Sequence, residues 1–327
     1  MALALIVAAA LAPAGCGSAS GHPRVRAATL VLDFTPNAVH AGIYSAIAHR
    51  YAQREGLDLN VVAPTATTDS IKLLDSGRAN FAILDIHDLA IARERGADVV
   101  GIMAIVERPL AAVIAQPRFP GPAELRGQTV GITGVPSDTA VLHSIVAGAG
   151  GDAARLKTIT IGFNAVPELL AGKVAAATAF WNDEGVTLER RRPGFRVFRV
   201  DAYGAPAYPE LVVCATRSSL QRDPGLAQRL VRALVDGYQY TLAHPRASAL
   251  DLERSVEGLD PALVSAELAA LLPAFHAPDG HVGELDSSTL ERWASWEVRF
   301  GIVRRAPDVA AAFDPTFANR AASGTGG

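Results

Sequence analysis

The sequence predicts an α/β fold of two lobes that are joined by a hinge of two chain segments and followed by C-terminal helices. From about residue 28, short apolar runs rich in β-branched residues alternate with segments of helical periodicity, which is typical of mainly parallel sheets covered by helices. Two stretches dense in proline and glycine, at residues 117–122 and 203–209, interrupt this alternation and predict two crossings between lobes. Half of the 327 residues are hydrophobic, which is enough for two cores of medium size.

The first lobe is predicted to contain both ends of the alternating region. Strands are predicted over residues 29–33, 57–62, 81–84, 99–106 and 111–115. Helical spacing of Ile43, Ile47 and Tyr51 predicts a helix that ends at Gly56, and Thr68 is the expected N-cap of a short helix before Gly77. A third helix is predicted over residues 88–95, and a returning strand over 211–215.

The second lobe repeats the pattern. Strands are predicted over residues 129–132, 156–161, 174–180 and 196–200, with helices after Ser137, over 166–171 and over 182–191. Amphipathic helices are then predicted over residues 226–242, 262–272 and 288–300. The expected organisation is lobe 1 at residues 28–116 and 206–320, lobe 2 at 117–205, and a small, polar, disordered tail at 321–327.

The N-terminus predicts export. Residues 1–15 are apolar and small, too short to span a bilayer comfortably, and Pro13 to Cys16 resemble a bacterial lipobox. We therefore expect a signal peptide at residues 1–15, lipidation of Cys16 and a flexible tether at 16–27, although no Lys or Arg precedes the apolar run. The alternative is an ordinary cleaved signal with a cysteine beside it.

Composition argues against several function classes. The only other cysteine, Cys214, lies in an apolar strand-like run and is expected to be packing material, so no disulfide and no zinc spacing is predicted. With a net charge of −3, the chain lacks the excess of Lys and Arg that is typical of nucleic-acid-binding proteins. No Ser/His/Asp or Cys/His set stands at a recognisable spacing, and neither a metal nor a cofactor is expected.

Four loops carry polar and aromatic residues directly after predicted strands. At the carboxyl ends of strands in an α/β sheet such loops face a cleft, where a ligand between two lobes would bind. The residues expected to contact that ligand are Asp33, Phe34, Asn37 and His40; Asp85 and His87; Ser137, Asp138 and Thr139; and Phe180, Trp181, Asn182 and Glu184.

Other roles are open for some of these residues. Asp33 and Asp138 stand where helix N-caps or turns use aspartate, and His40 and His87 could be structural hydrogen-bonding partners. Phe180 could belong to the core. The four loops also hold six acidic residues and no Lys or Arg, which disfavours anionic ligands and suits neutral or amine-bearing ones.

Several motifs resemble one family in the same order over roughly residues 29–300. DFTPN at residues 33–37 is similar to the D-W-x-P-N signature of lipoproteins that bind thiamine pyrimidine precursors, WNDEG at 181–185 to their W-N-x-E-G block, and FRVDAYG at 198–204 to their F-R-V-x-x-Y-G. The run at residues 162–174 is similar too. Each motif alone is weakly specific, but the ordered set is strong.

The resemblance implies a periplasmic-binding type II fold and the solute-binding role in an ABC importer, without chemistry. The protein would capture a planar heteroaromatic ligand outside the membrane as a monomer and deliver it to a permease with a cytoplasmic ATPase. The resemblance also assigns three roles. Asn37 would hydrogen-bond the ring, Trp181 would stack on it, and Glu184 would accept a hydrogen bond from an exocyclic amine.

Departures from the family pattern leave the ligand open. Phe34 replaces the common Trp, and the loops at residues 85–88 and 134–139 differ from those of the pyrimidine binders. The candidate ligands are therefore a thiamine-type aminopyrimidine, a flavin-like ring as the alternative, and other solutes. A eukaryotic branch on the same fold is a pyrimidine-precursor synthase with a cysteine-rich motif, which a chain with two cysteines lacks. A sensory or scaffolding lipoprotein with an empty cleft is the third alternative.

Overall fold

The computed structural model describes residues 25–66, 69–135 and 137–324. The expected signal peptide, Cys16, most of the tether and the Thr68 cap lie outside the described residues. Among the residues described, no helix is both long and apolar enough to cross a membrane.

Strands and helices alternate along the chain and end in a helical region. The strands are β1 (Arg26–Val31), β2 (Leu57–Val62), β3 (Phe81–Asp85), β4 (Val99–Ala104), β5 (Ala111–Ala115), β6 (Thr129–Ile132), β7 (Lys157–Thr160), β8 (Ala176–Phe180), β9 (Arg196–Arg199) and β10 (Leu211–Thr216). The helices are α1 (Ala41–Ala48), α2 (Tyr51–Arg54), α3 (Asp69–Asp75), α4 (Ile86–Glu94), α5 (Asp138–Gly148), α6 (Ala165–Leu170), α7 (Glu184–Arg191), α8 (Arg217–Arg222), α9 (Pro224–Ala243), α10 (Pro245–Ser255), α11 (Pro261–Leu271), α12 (Ser287–Arg299), α13 (Val309–Ala312) and α14 (Thr316–Gly324).

Two five-stranded sheets have the same internal arrangement. The first has the order β2-β1-β3-β10-β4 and the second β7-β6-β8-β5-β9. In each, the first three strands are parallel, while β10 or β5 runs antiparallel to both of its neighbours. The predicted α/β fold class of two lobes is therefore confirmed.

The placement of β5 corrects the predicted lobe boundary. β5 pairs with β8 and β9, so it belongs to the second lobe and not to the first. The chain crosses between lobes at residues 105–110, and the proline-rich segment at 117–122 is a connection within lobe 2. Proline shows where an element ends, but not which sheet the next strand joins. The chain returns to the first sheet between β9 and β10.

Two further boundaries differ from the prediction. The first predicted helix is divided into α1 and α2 because Arg50 adopts a left-handed backbone with φ of 61°. The predicted disordered tail begins too early, since α14 continues to Gly324 and Ala321 is buried against the core. The small residues that suggested disorder there instead allow close packing.

The lobe 1 core lies on both faces of its sheet. On one face α1 packs against α9, where Gly42 and Gly237 bring the two helices into close approach. On the other face α4 and α12 meet around Trp293, which is completely buried. Cys214 is also completely buried in β10, as expected of packing material.

Candidate functional site

A cleft of about 600 Å³ lies between the two lobes. Its lining comes from the loops after β1, β3, β6, β7 and β8, all at the carboxyl ends of parallel strands, and from the first residues of β5 and β10. The predicted contact residues that line it are Asp33, Phe34, Asp85, Ser137, Asp138, Phe180 and Glu184.

Three phenylalanine rings form the aromatic part of the lining. Phe34 from lobe 1 meets Phe163 from lobe 2 edge to face, with ring centroids 4.3 Å apart and planes at 71°. Phe180 lies at the end of β8 on the same cleft. Phe163 was not among the predicted contact residues. It follows the predicted strand 156–161, so the expectation that residues after a strand face the cleft would have included it. The rings offer flat surfaces for a planar ligand.

Buried carboxyl groups form the polar part of the lining, and burial raises their pKa values. The pKa of Asp85 is raised to about 8, that of Glu184 to about 8, and that of Asp183 to about 6, in each case mainly because burial disfavours the charged form. The pKa of Asp138 is raised and that of Asp88 is raised well above its ordinary value for the same reason. The cleft therefore presents several uncharged carboxyl groups near neutral pH.

Asp33 is oriented by the residue behind it. The Nδ1 atom of His40 accepts a hydrogen bond from the backbone N–H of Asn37, so Nε2 carries the proton and donates to Asp33 Oδ1 at 2.9 Å. His40 itself is completely buried and does not line the cleft. The expectation that His40 contacts ligand is therefore corrected, and it positions Asp33 instead.

Asn37 contacts the opposite lobe. Its side-chain amide donates to Asp183 Oδ2 at 2.7 Å, while its carbonyl oxygen caps the short turn at residues 38–40 by accepting from Val39 N–H. Asn37 is outside the cleft lining, whereas Asp183 lines it. Together with Phe34–Phe163 and a hydrogen bond from Ser137 N–H to Asp88 Oδ1 at 3.3 Å, this contact holds the lobes together.

His87 points into the lobe 1 core and not into the cleft. Its Nδ1 contacts Glu297 Oε1, its Nε2 lies 3.1 Å from the Tyr208 hydroxyl, and the ring is completely buried. Glu297 and the other buried acids raise its pKa to about 10, against the opposing effect of burial. The expected ligand contact is corrected. His87 and Asp88 are consecutive on α4, and about 100° of helical rotation between them lets only Asp88 face the cleft.

Three other expected contacts also lie outside the lining. Trp181 donates from Nε1 to Pro109 O at 2.9 Å, and the Arg199 guanidinium covers its ring at 4.3 Å, so it supports the first crossing between lobes. Asn182 is 1% exposed and Thr139 is half-buried on α5, neither on the cleft surface. Each of these three residues directly follows one that lines the cleft or the hinge. Side chains at adjacent positions point in different directions, so only one of each pair faces the cleft.

The hinge is fastened by a buried glutamate. Glu210, just before β10, accepts hydrogen bonds at Oε2 from the backbone N–H groups of Leu110 and Ala111 on the other crossing. Its backbone carbonyl accepts from Ile86 N–H at 2.9 Å. The two crossing segments are thus bonded to each other and to the start of α4.

One group of side chains has donor atoms spaced for a metal ion. Among the described residues, Asp85, His87 and Glu210 offer ligand atoms that lie within 4.8 Å of one another. However, His87 Nε2 already faces Tyr208, and one Glu210 oxygen already holds the two hinge N–H groups. The arrangement therefore fits a structural hydrogen-bond network better than a metal centre.

The outer part of the cleft differs from the sequence expectation. Lys72 on α3 and Arg95 at the end of α4 lie on its exposed rim, beside Asp75. The four strand-end loops contain no cation, but helices contribute two. The acidic character therefore belongs to the inner cleft alone.

The chain matches the family described as "NMT1/THI5 like" over residues 37–248. It is similar to a formylaminopyrimidine-binding protein of Halalkalibacterium halodurans, with 31% identity over 293 residues that cover 88% of this chain and 89% of the relative. It is also similar to the riboflavin-binding protein RibY of Chloroflexus aurantiacus, with 27% identity covering 72% of this chain and 68% of that protein. A 4-amino-5-hydroxymethyl-2-methylpyrimidine phosphate synthase of Saccharomyces cerevisiae, THI12, is 23% identical over 66% of this chain and 67% of the relative.

Solved structures confirm the fold at low identity. The nitrate-binding protein NrtA of Synechocystis PCC 6803 superimposes with a TM-score of 0.73 and 12% identity, covering 93% of this chain and 90% of that one. The alkanesulfonate-binding protein SsuA of Xanthomonas axonopodis pv. citri gives a TM-score of 0.71 at 16% identity, covering 89% and 99%. NrtA is described as a periplasmic binding protein.

Proposed function

The chain belongs to the NMT1/THI5-like family, and from this premise we propose that it is the solute-binding component of an ABC importer for a planar, nitrogen-rich vitamin precursor. A thiamine-type aminopyrimidine is the ligand we favour, because the relative that binds formylaminopyrimidine is similar over 88% of this chain. The protein would act outside the cell membrane, anchored through Cys16, and would deliver its ligand to a permease and its ATPase.

The observation that carries this proposal is the composition of the inner cleft. Phe34, Phe163 and Phe180 supply flat apolar walls from both lobes, and Asp85 and Glu184 supply buried carboxyl groups. A heteroaromatic ring gains from contact with aromatic walls, and its N–H groups and ring nitrogens find acceptors and donors in the carboxyl groups. Among the described residues, the cations that line the cleft are Lys72 and Arg95 on its exposed rim, so an anion would find no cationic partner in the inner cleft.

Capture would proceed by closure. A ligand between the lobes touches loops of both, so it binds the closed state better than the open one and shifts the population towards closure. The contacts Asn37–Asp183, Phe34–Phe163 and Asp88–Ser137 then complete the closed form, which the permease would recognise.

Riboflavin is the second candidate, and the size of the cleft favours it. A volume of about 600 Å³ exceeds what one six-membered ring fills and lies in the range of drug-sized ligands. The cleft continues along α3 and α4 to the rim at Lys72 and Arg95, where the chain of a larger ligand would fit.

Isothermal titration calorimetry would test both candidates. The protein would be titrated with formylaminopyrimidine, the corresponding aminopyrimidine, riboflavin, nitrate and an alkanesulfonate. We expect an aminopyrimidine to bind at least tenfold more tightly than riboflavin and the two anions not to bind. Tighter riboflavin binding would establish the alternative, and no binding of either heterocycle would contradict the proposal.

A turnover assay separates the binding role from the synthase role of the more distant relatives. Incubation with the aminopyrimidine, followed by mass spectrometry, should return the ligand unchanged. Formation of a modified pyrimidine would contradict a pure binding role.

A further inference from the structure

Asp88 and Asp138 approach the inner cleft from opposite lobes, and no motif of the family accounts for either. Asp88 lies in the first turn of α4, and Asp138 is the first residue of α5. Asp138 Oδ2 accepts from the Thr133 hydroxyl at 2.7 Å and from Gly134 N–H at 2.8 Å. Asp88 accepts only from Ser137 N–H, through Oδ1, in the part of the chain that the structure describes.

The surroundings of Asp88 favour its uncharged form. Burial raises its pKa well above the ordinary value, and the negative charges of Asp85 and Asp138 act in the same direction. The opposing effects are the hydrogen bond from Ser137 and the charge of His87, which is engaged with Glu297. Lys72 and Arg95 stand on the exposed rim, where solvent screens them.

An uncharged carboxyl group offers one O–H donor beside one carbonyl acceptor. This pair is the complement of an aminopyrimidine edge, on which an amine donor stands beside a ring-nitrogen acceptor. Thr178, 4% exposed on the same lining, interacts with the Asp138 carboxyl group, so Asp138 is engaged by side chains of its own lobe.

We propose that the Asp88 carboxyl group binds the amine and adjacent ring nitrogen of the ligand and is a specificity-determining residue of the cleft. The inference rests on the proposed function. Oδ2–H would donate to the ring nitrogen, and Oδ1 would accept from the ligand amine while it keeps its bond with Ser137 N–H of lobe 2. Because Asp88 Oδ1 would accept from both the ligand amine and Ser137 N–H of lobe 2, recognition of the amine is coupled directly to closure of the lobes.

Replacing Asp88 by asparagine and by alanine distinguishes a donor–acceptor contact with the ligand from a charged contact. Asparagine keeps a donor beside an acceptor, whereas alanine keeps neither. Wild type, Asp88→Asn, Asp88→Ala and the control Asp58→Asn, an exposed aspartate on β2 outside the cleft lining, would be titrated at pH 7 with an aminopyrimidine and its deamino analogue. Thermal melts would verify folding, and Asp88→Ser would replace the alanine variant if that one does not fold.

We expect wild type and Asp58→Asn to prefer the amine-bearing ligand by about fivefold, because the deamino analogue lacks one neutral hydrogen bond. Asp88→Asn should stay within about threefold of wild type, and Asp88→Ala should lose about tenfold and most of the preference. Equal losses in the asparagine and alanine variants would overturn the uncharged form, and wild-type behaviour of both would overturn the contact. Failure of wild type to bind any aminopyrimidine would instead contradict the proposed function itself.

Discussion

Phe34 has a role that follows from its neighbours. It follows the end of β1, beside Asp33, and its ring closes on Phe163 from the other lobe. If a ligand binds in the cleft as proposed, the paired rings would form one of its walls.

Removing the ring should weaken binding more than it weakens the fold. Phe34→Leu keeps most of the apolar area but no aromatic face, and we expect a loss of about three- to tenfold in affinity for a bound heteroaromatic ligand. The matched control is Phe300→Leu, whose ring packs on Trp296 outside the cleft. Calorimetry would measure both, and equal affinities of the two variants would show that Phe34 does not touch the ligand.

The sequence predicted which loops form the site better than which side chains face it. The prediction that residues after parallel strands face the cleft was correct for Asp33, Asp85 and Glu184, because the fold class determines where parallel strands end. The position of the strand end could not predict that Asp88 faces the cleft while His87 faces the core, because tertiary packing sets the orientation of the helix that carries both. The role of His40 behind Asp33 likewise depends on a contact that only folding creates.

At the scale of elements, α1 and α9 show how close packing constrains sequence. A Cβ atom on Gly237 would lie 2.1 Å from Gly42 O, and one on Gly42 would lie 2.4 Å from the Tyr238 ring. The periodicity of both segments predicted the helices, but not that two glycines allow them to touch.

We expect Gly237→Ala to lower the free energy of unfolding by more than about 2 kcal/mol, because the backbone of α1 must move to make room. Gly225→Ala on the same helix is the control. Its Cβ would meet only Asp223 Oδ1, at 3.6 Å, and better helix propensity should make it neutral or stabilising by up to about 1 kcal/mol. Urea denaturation would measure both, and equal stability of the two variants would refute the close contact.

The contacts of Glu210 in the hinge lead to a second prediction at the scale of elements. Glu210→Ala would leave the buried N–H groups of Leu110 and Ala111 without their acceptor, and we expect a loss of about 2–5 kcal/mol in unfolding free energy. Glu210→Gln keeps a carbonyl oxygen for those donors and should lose clearly less. Denaturation of both variants would decide, since equal losses would mean that the charge matters and not the acceptor.

At the scale of the whole molecule, several carboxyl groups are buried in this structure. The pKa of Glu267 is raised to about 9, and those of Asp85, Glu107 and Glu184 to about 8, mainly by burial. Each binds a proton in the folded state at pH values where the unfolded chain, with an ordinary pKa near 4, has lost it.

The contribution of these groups to stability should therefore be full below about pH 4 and be lost progressively as the pH rises from there to 8–9. We expect the melting temperature to drop by several degrees between pH 5 and pH 9. Glu267→Gln should flatten this slope, whereas Glu291→Gln, an exposed carboxylate on α12, should not. A melting temperature that rises over this range would contradict the buried, protonated state of these groups.

The contact between Asn37 and Asp183 should hold the lobes closed. Asp183→Ala removes it, and we expect a larger radius of gyration in small-angle scattering and a several-fold weaker ligand affinity, because the competent state becomes less populated. Asp201→Ala is the control, since Asp201 pairs with Arg199 of its own lobe. An unchanged radius and affinity in Asp183→Ala would show that closure does not depend on this bond.

The pairing of β5 with β8 and β9 makes the second sheet continuous in sequence, from residue 111 to residue 199, whereas the first sheet is assembled from both sides of it. The chain leaves and re-enters lobe 1 at neighbouring points, where Ile105 N–H donates to Leu211 O at 2.8 Å. Lobe 2 is thus an insertion whose two ends meet, and it could be exchanged between relatives as a single cassette. Such an exchange would replace one wall of the cleft in one step, so new ligand preferences could arise while the other wall kept its sequence.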